Sequence, residues 1–218
     1  LLARAQLAAG RPAEALQTLD GYCERGAPET TVLRAAAFAA QGSLENAATL
    51  AEPLAAANPE AALLLARIRF EQGDREAARA LLAPSAEASS DPNVIRLLLD
   101  IELTGPNPAA AEPIIAAVRA KSLLPDAELD VALARLRLST GQASEASEIF
   151  RDVLSRPELP APVRDNARLG LARGLLALGV DARARDVLRE GMTASPDALT
   201  TRQSLDQWIA LEMRLGGD

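Results

Sequence analysis

An all-α fold of stacked helical hairpins, an α-solenoid, is what this 218-residue sequence predicts, and three observations carry the prediction. A glycine is followed five residues later by an alanine six times: Gly10/Ala15, Gly42/Ala47, Gly73/Ala78, Gly105/Ala110, Gly141/Ala146 and Gly179/Ala184. Successive glycines lie 32, 31, 32, 36 and 38 residues apart, and nine residues beyond each stands Leu19, Ala51, Leu82, Ile114, Phe150 or Leu188. A unit that returns at such a period marks a stacked-repeat architecture, in which each repeat buries its apolar face only against its neighbours. The third observation is composition: hydrophobic residues make up 49% of the chain, nearly all of it Ala and Leu, whereas aromatics are 2%. Ala and Leu favour helix, and the β-branched and aromatic residues that favour strands are scarce.

Taken along the chain, each unit reads as one helix running into the glycine and a second starting just after it. The clearest is Pro59 to Ala86. Leu64, Leu65, Ala66 and Ile68 form a helical face ahead of Glu71-Gln72-Gly73-Asp74, where glycine can take the left-handed conformation that ends a helix. Asp74 is placed to cap the next helix, whose Ala77, Ala78, Leu81 and Leu82 recur at three- and four-residue spacing. The pairs Asn58-Pro59, Asp91-Pro92 and Ser195-Pro196 join a capping side chain to a ring suited to the first helical position, and Asn107-Pro108 opens a second helix in the same way. Pro53, Pro84 and Pro113 fall inside expected second helices and should shorten or bend them. The longer spacing after Gly105 is expected to be absorbed in Lys121–Pro125, and that after Gly141 in a proline-rich loop over Arg156–Pro162.

Charge and residue usage narrow the function. The net charge of −7 disfavours nonspecific nucleic-acid binding, which depends on Lys and Arg meeting phosphates. No run of 18 apolar residues and no basic amphipathic segment points to a membrane. The single cysteine, Cys23, cannot form an internal disulfide, and with no histidine a metal site would need carboxylates alone, so no metal and no cofactor are expected. The missing histidine also removes the commonest general base, and no GxxxxGK[ST] or GxGxxG loop is present, so no catalytic residues are assigned and the chain is not read as an enzyme. Glu145 and Glu148 read as a solvated helix face, and Gly170-x-x-x-Gly174, flanked by Arg168 and Arg173, as a close contact between soluble helices. The chain begins at Leu1 without the signature of a signal peptide, and its compartment, periplasm or cytoplasm, stays open.

These marks resemble the tetratricopeptide repeat, a 34-residue helix-turn-helix unit with a small residue in helix A, a glycine before the turn and an alanine in helix B. Seven residues before each glycine stand Ala3, Ala35, Ala66, Ala134 and Ala172, with Leu98 the exception. Pro59 and Pro196 fall at the family's proline position; the usual helix A tryptophan and tyrosine are missing. The resemblance implies one right-handed superhelical array over residues 1–218, with six units and a terminal helix over about 198–215. Leu1 then falls near the sixth position of the first unit, and Ser204 to Gly217 repeats the helix A pattern, so the sequence reads as a piece of a longer protein. Alternatively, Leu205, Trp208, Ile209 and Met213 form a capping helix.

The resemblance also implies a concave groove lined by helix A. Six residues before the glycines stand Arg4, Ala36, Arg67, Leu99, Arg135 and Arg173; three before stand Leu7, Ala39, Phe70, Glu102, Leu138 and Leu176. Arg67, Phe70, Leu99, Arg135, Leu138, Arg173 and Leu176 are the expected groove residues. Arginine forks suit carboxylates, so an acidic protein or peptide partner is expected; solvation of these arginines, or a role at the negative end of the helix dipole, is the alternative. The family's lysine and asparagine clamp for chaperone tails is absent. The function this implies is a protein-interaction scaffold, with bacterial cell-envelope assembly or exopolysaccharide export as its setting. The alternatives are a sensor region attached to an enzyme or transcription factor, or self-association through the array ends.

Overall fold

The structure, a computed structural model, describes residues 1–21, 27–86, 90–194, 210 and 213. Cys23, Ser195-Pro196 and most of the expected terminal helix lie outside these residues; Ala210 and Met213 are helical and exposed. Among the described residues the regular structure is helical: α1 (Leu2–Ala8), α2 (Pro12–Asp20), α3 (Pro28–Ala40), α4 (Leu44–Ala51), α5 (Pro59–Glu71), α6 (Arg75–Ala86), α7 (Pro92–Thr104), α8 (Ala111–Ala120), α9 (Asp126–Ser139), α10 (Ala143–Ser155), α11 (Ala161–Ala177) and α12 (Asp181–Ala194). Odd-numbered helices are the A helices of six hairpins and even-numbered ones the B helices. Two compact units are formed, Leu1–Ile101 and Glu102–Asp218, and each is described by itself.

Five hairpin turns share one mechanism. Gly10, Gly42, Gly73, Gly141 and Gly179 have φ between +69° and +86°, a region that costs other residues about 1 kcal/mol or more. At Gly73 the glycine N–H donates to Phe70 O at 3.0 Å and the next N–H, of Asp74, reaches back to Arg69 O at 2.8 Å. This double closure satisfies carbonyls that the ending helix leaves open. Asp74 then caps α6 through Ala77 N–H at 3.0 Å, and Asn58 caps α5 by accepting from Glu60 N–H and Ala61 N–H. Asp91 accepts from Asn93 N–H at 2.8 Å, as its position before Pro92 predicts.

The fourth hairpin departs from the expected register. Gly105 is not among the positive-φ glycines, and the reason is the next residue: Pro106 has no N–H to return to Ile101, so the double closure cannot form. A 3-10 turn over Pro108–Ala110 intervenes, without a side-chain cap from Asn107, and α8 starts only at Ala111, four residues later after its glycine than the other B helices. The buried positions move with it. Ala111 and Ile115 are 0% and 5% exposed, while Ala110 and Ile114, the residues picked out by the period, are only half-buried. Pro113 consequently lies in the first turn of α8, where a missing N–H is harmless. Pro53 sits in a 3-10 turn, Glu52–Leu54, that ends the second B helix at Ala51, and α6 ends at Ala86, shortly after Pro84.

The double closure recurs at the end of α8, where Ser122 N–H donates to Arg119 O and Leu123 N–H to Val118 O, both at 3.1 Å, with Ser122 at φ +51°. Serine bears there the strain that glycine avoids elsewhere. Ser122→Gly is therefore expected to raise stability by roughly 0.5–1 kcal/mol, read as a higher urea midpoint at unchanged slope.

Alanines set the helix spacing. Ala15, Ala47, Ala78, Ala146 and Ala184 in the B helices are fully buried, as are Ala35, Ala66, Ala134 and Ala172 in the A helices. In the first unit the core runs from Ala3, Ala15, Leu19 and Ala37 through Ala35, Ala47, Leu65 and Ile68 to Ala66, Ala78, Leu82, Leu97 and Leu98. In the second it centres on Phe150, Val153, Ala167, Leu171, Ala184 and Leu188. Two glycines of α11 admit the residues above them: a Cβ on Gly170 would overlap the Phe150 ring, and one on Gly174 would overlap Ser147 Oγ. The Gly170-x-x-x-Gly174 pair is thus a close soluble helix contact, as expected.

Candidate functional site

Within each unit the A helices form the tighter row. α1 touches α3, α3 touches α5, and α9 touches α11, whereas no comparable contact joins successive B helices among the described residues. The A helices of each unit thus share one face.

In the first unit this face carries Arg4, Ala36 and Arg67, with Leu7, Ala39 and Phe70 one turn further. Arg4 is neutralised: its guanidinium lies 3.3 Å from the Glu60 carboxylate, both exposed. Arg67 is exposed and has no carboxylate within ion-pair distance among the described residues, and Phe70 beside it is half-buried against the Ala78–Leu82 core. Leu99 corrects the expectation: at 4% exposure it offers no surface for a partner. Its helix, α7, buries Ile95, Leu98 and Leu103 as well, so leucine where other units place arginine serves the interior.

In the second unit Arg135 on α9 and Arg173 on α11 occupy equivalent positions, with half-buried Leu138 and Leu176 one turn further, packed on the Phe150 core. Arg173 is held below the ordinary guanidinium value, first by desolvation and then by the like charge of Arg135. The residue is nonetheless exposed on this face. Two cations are held on one face.

Several other arginines are paired with carboxylates. Arg34 pairs with Asp20, Arg69 with Glu52, and Arg137 with both Glu112 and Glu145. Arg119 and Arg156 share Asp130 at 2.7 and 2.6 Å, and Arg156 also reaches Asp152 at 2.8 Å. The carboxylates of Asp152 and then Asp130 hold the Arg156 guanidinium above its ordinary value. This network clasps the two insertions, Lys121–Pro125 and the Arg156–Pro162 loop, to α9. On the helix B side a cavity of about 280 Å3 opens between α10, α11 and α12, lined by Leu171, Leu175, Val187, Arg183 and Asp186 among others. No spacing in the sequence announces it, because it is assembled by three helices of two hairpins. Among the described residues no cluster of three acidic or cysteine ligands converges to hold a metal, and no helix is long and apolar enough to cross a membrane.

A tetratricopeptide-repeat family model matches residues 1–20 and 59–84, the first and third hairpins. No curated protein matches in sequence. Among solved structures, the APC/C hetero-tetramer Cut9-Hcn1 is similar, with a TM-score of 0.65 at 16% identity over 95% of this chain and 41% of that one. The assembly chaperone of RpL4, Acl4, residues 1–338, matches with a TM-score of 0.56 at 17% identity, over 98% of this chain and 94% of that one. The fold is thus that of an α-helical repeat protein. In sequence the chain carries two hairpins that match the tetratricopeptide-repeat model. It spans 41% of the length of the Cut9 structure's chain.

Proposed function

We propose that this chain is a protein-interaction scaffold that binds an acidic polypeptide segment on its A-helix faces, with Arg67, Phe70, Arg135, Leu138, Arg173 and Leu176 in contact. The observation that supports this reading most strongly is the conjunction of charge and apolar surface on the A face. In a chain with 30 acidic against 23 basic residues, Arg67 and Arg173 are exposed there without a carboxylate partner among the described residues, and half-buried Phe70, Leu138 and Leu176 lie one turn further along the same helices. An anionic segment supplies the missing partner, and apolar Phe70, Leu138 and Leu176 alongside supply contact area that charge alone does not.

The test compares two triple variants against a partner captured from the source cells. Arg67, Arg135 and Arg173 to Ala should weaken binding by about 1 kcal/mol per residue and flatten its salt dependence. Arg79, Arg151 and Arg183 to Ala, on exposed helix B positions, remove the same net charge and should leave affinity nearly unchanged. Equal losses in both sets would assign the effect to net charge and remove the A face from the reading.

A further inference from the structure

We infer that the cleft between α10, α11 and α12 is a binding site for a free apolar α-amino acid, its carboxylate met by Arg151 and Arg183, its ammonium by Asp186, and its side chain by Leu171, Leu175 and Val187. The site lies apart from the A face. On α11 the floor residues Leu171 and Leu175 stand about 150° around the helix from Arg173 and Leu176, so the inference goes beyond the scaffold reading and does not depend on it.

Shape comes first. The cavity holds about 280 Å3, small beside the roughly 300–1,000 Å3 of ordinary ligand pockets, and its floor is apolar, with Leu171 and Leu175 5% and 8% exposed and Val187 half-buried. Such a space suits one aliphatic side chain. Charge comes second. Arg151 of α10 and Arg183 of α12 line the cleft together with Asp186 and Glu190 of α12, so the two signs balance there in a chain of net charge −7. A simple anion meets carboxylates and a simple cation meets guanidinium groups, whereas a ligand carrying both signs pairs with both. The third observation is what the protein leaves open. Arg183 and Asp186 are exposed, one helical turn apart, and neither has a hydrogen-bond or ion-pair partner among the described residues, whereas Arg11 and Glu14, at the same spacing, pair at 3.1 Å. Arg151 gives its Nε to Ser147 O and keeps its two Nη groups, while Glu190 already has a partner. Residues three apart on a helix have their Cβ atoms about 5–6 Å apart, a distance that the head of an amino acid, with carboxylate and ammonium on one carbon, bridges. Val187 follows Asp186 and stands one turn on from Arg183, so a side chain leaving that head meets Val187 and the two leucines of the floor.

The experiment titrates the isotope-labelled 218-residue chain with small probes and follows the amide shifts of Leu171, Leu175, Arg183 and Val187 by NMR. L-leucine should shift them saturably with a Kd of about 1 mM, as expected of a small ligand in an open cleft. Isocaproate, which lacks the ammonium, isoamylamine, which lacks the carboxylate, and N-acetyl-leucinamide, blocked at both ends like a residue within a chain, should each bind roughly 5–10-fold more weakly. Arg183→Gln should weaken leucine by about 5-fold without weakening isoamylamine, and Asp186→Asn should weaken leucine as much without weakening isocaproate. A merely structural role for either residue would move all probes together. The Arg79, Arg151 and Arg183 triple should weaken leucine further than Arg183→Gln alone while sparing the acidic segment of the A face, so the two readings fail separately. Equal affinity for leucine, isocaproate and isoamylamine would make the cleft a purely apolar hollow, and N-acetyl-leucinamide binding as tightly as leucine would make its occupant a polypeptide side chain. Either result overturns the inference, as do leucine shifts that fail to saturate below about 20 mM.

Discussion

Phe150→Ala is expected to lower stability by about 3–5 kcal/mol, the loss found when a fully enclosed aromatic is truncated and its cavity cannot collapse. Phe150 is 0% exposed and stands at the centre of the second unit's core, where the B helix of the fifth hairpin meets the A helix of the sixth. Its ring lies flat against Gly170, so closely that a Cβ there would be 2.7 Å from Cε2 and nearer still to Cζ and Cε1. Gly170→Ala gains helix propensity, worth up to about 1 kcal/mol, and should still destabilise because the overlap forces two helices apart at a cost of about 1–3 kcal/mol. The two changes are coupled. Combining Gly170→Ala with Phe150→Leu should cost less than the sum of the single effects, measured by urea unfolding followed in far-UV circular dichroism. Strict additivity would mean that ring and glycine do not touch.

Ala78→Glu is expected to be comparably severe, about 3 kcal/mol or more, and to unfold the first unit at ordinary temperature. Ala78 is fully buried between Ala66, Leu82, Leu97 and Leu98, so a carboxylate there is both oversized and without a partner. The control is Ala80→Glu, two residues on and exposed on the same helix, which should stay within about 0.5 kcal/mol of the parent. Similar melting of the two variants would place Ala78 on the wrong face of α6.

The two recurring sets, buried alanines and turn glycines, were legible in the sequence because they answer to local rules. Ala78 must be small where helices A and B touch, and Gly73 must reach positive φ where a helix ends, so both recur at fixed spacing. The one lapse in register was also written locally: Pro106 removes the N–H that a glycine turn needs, and counting from Gly105 alone points to Ala110 and Ile114 instead of Ala111 and Ile115. What spacing could not convey is pairing across hairpins. Nothing near Arg4 in the sequence indicates Glu60, 56 residues on, and nothing near Asp130 indicates that Arg119 and Arg156 will converge on it. Leu99 shows the same limit in reverse, since its position in the unit suggests a surface residue and its surroundings make it interior. Of the candidate site, the helix and the row were readable; which arginines would be left with a vacant partner was not.

Helix–helix packing among the described residues stays close to home: it joins neighbours in the chain or next helices of the A row. The tie that reaches further within the first unit, the Arg4–Glu60 ion pair, is exposed and weak, so mechanical load passes hairpin by hairpin, as through the coils of a spring, and an end can open while the middle holds. A polypeptide laid over α9 and α11 would lie across neighbouring coils and resist their separation. A guest of that kind stiffens its host, and the host's compliance becomes a measure of occupancy.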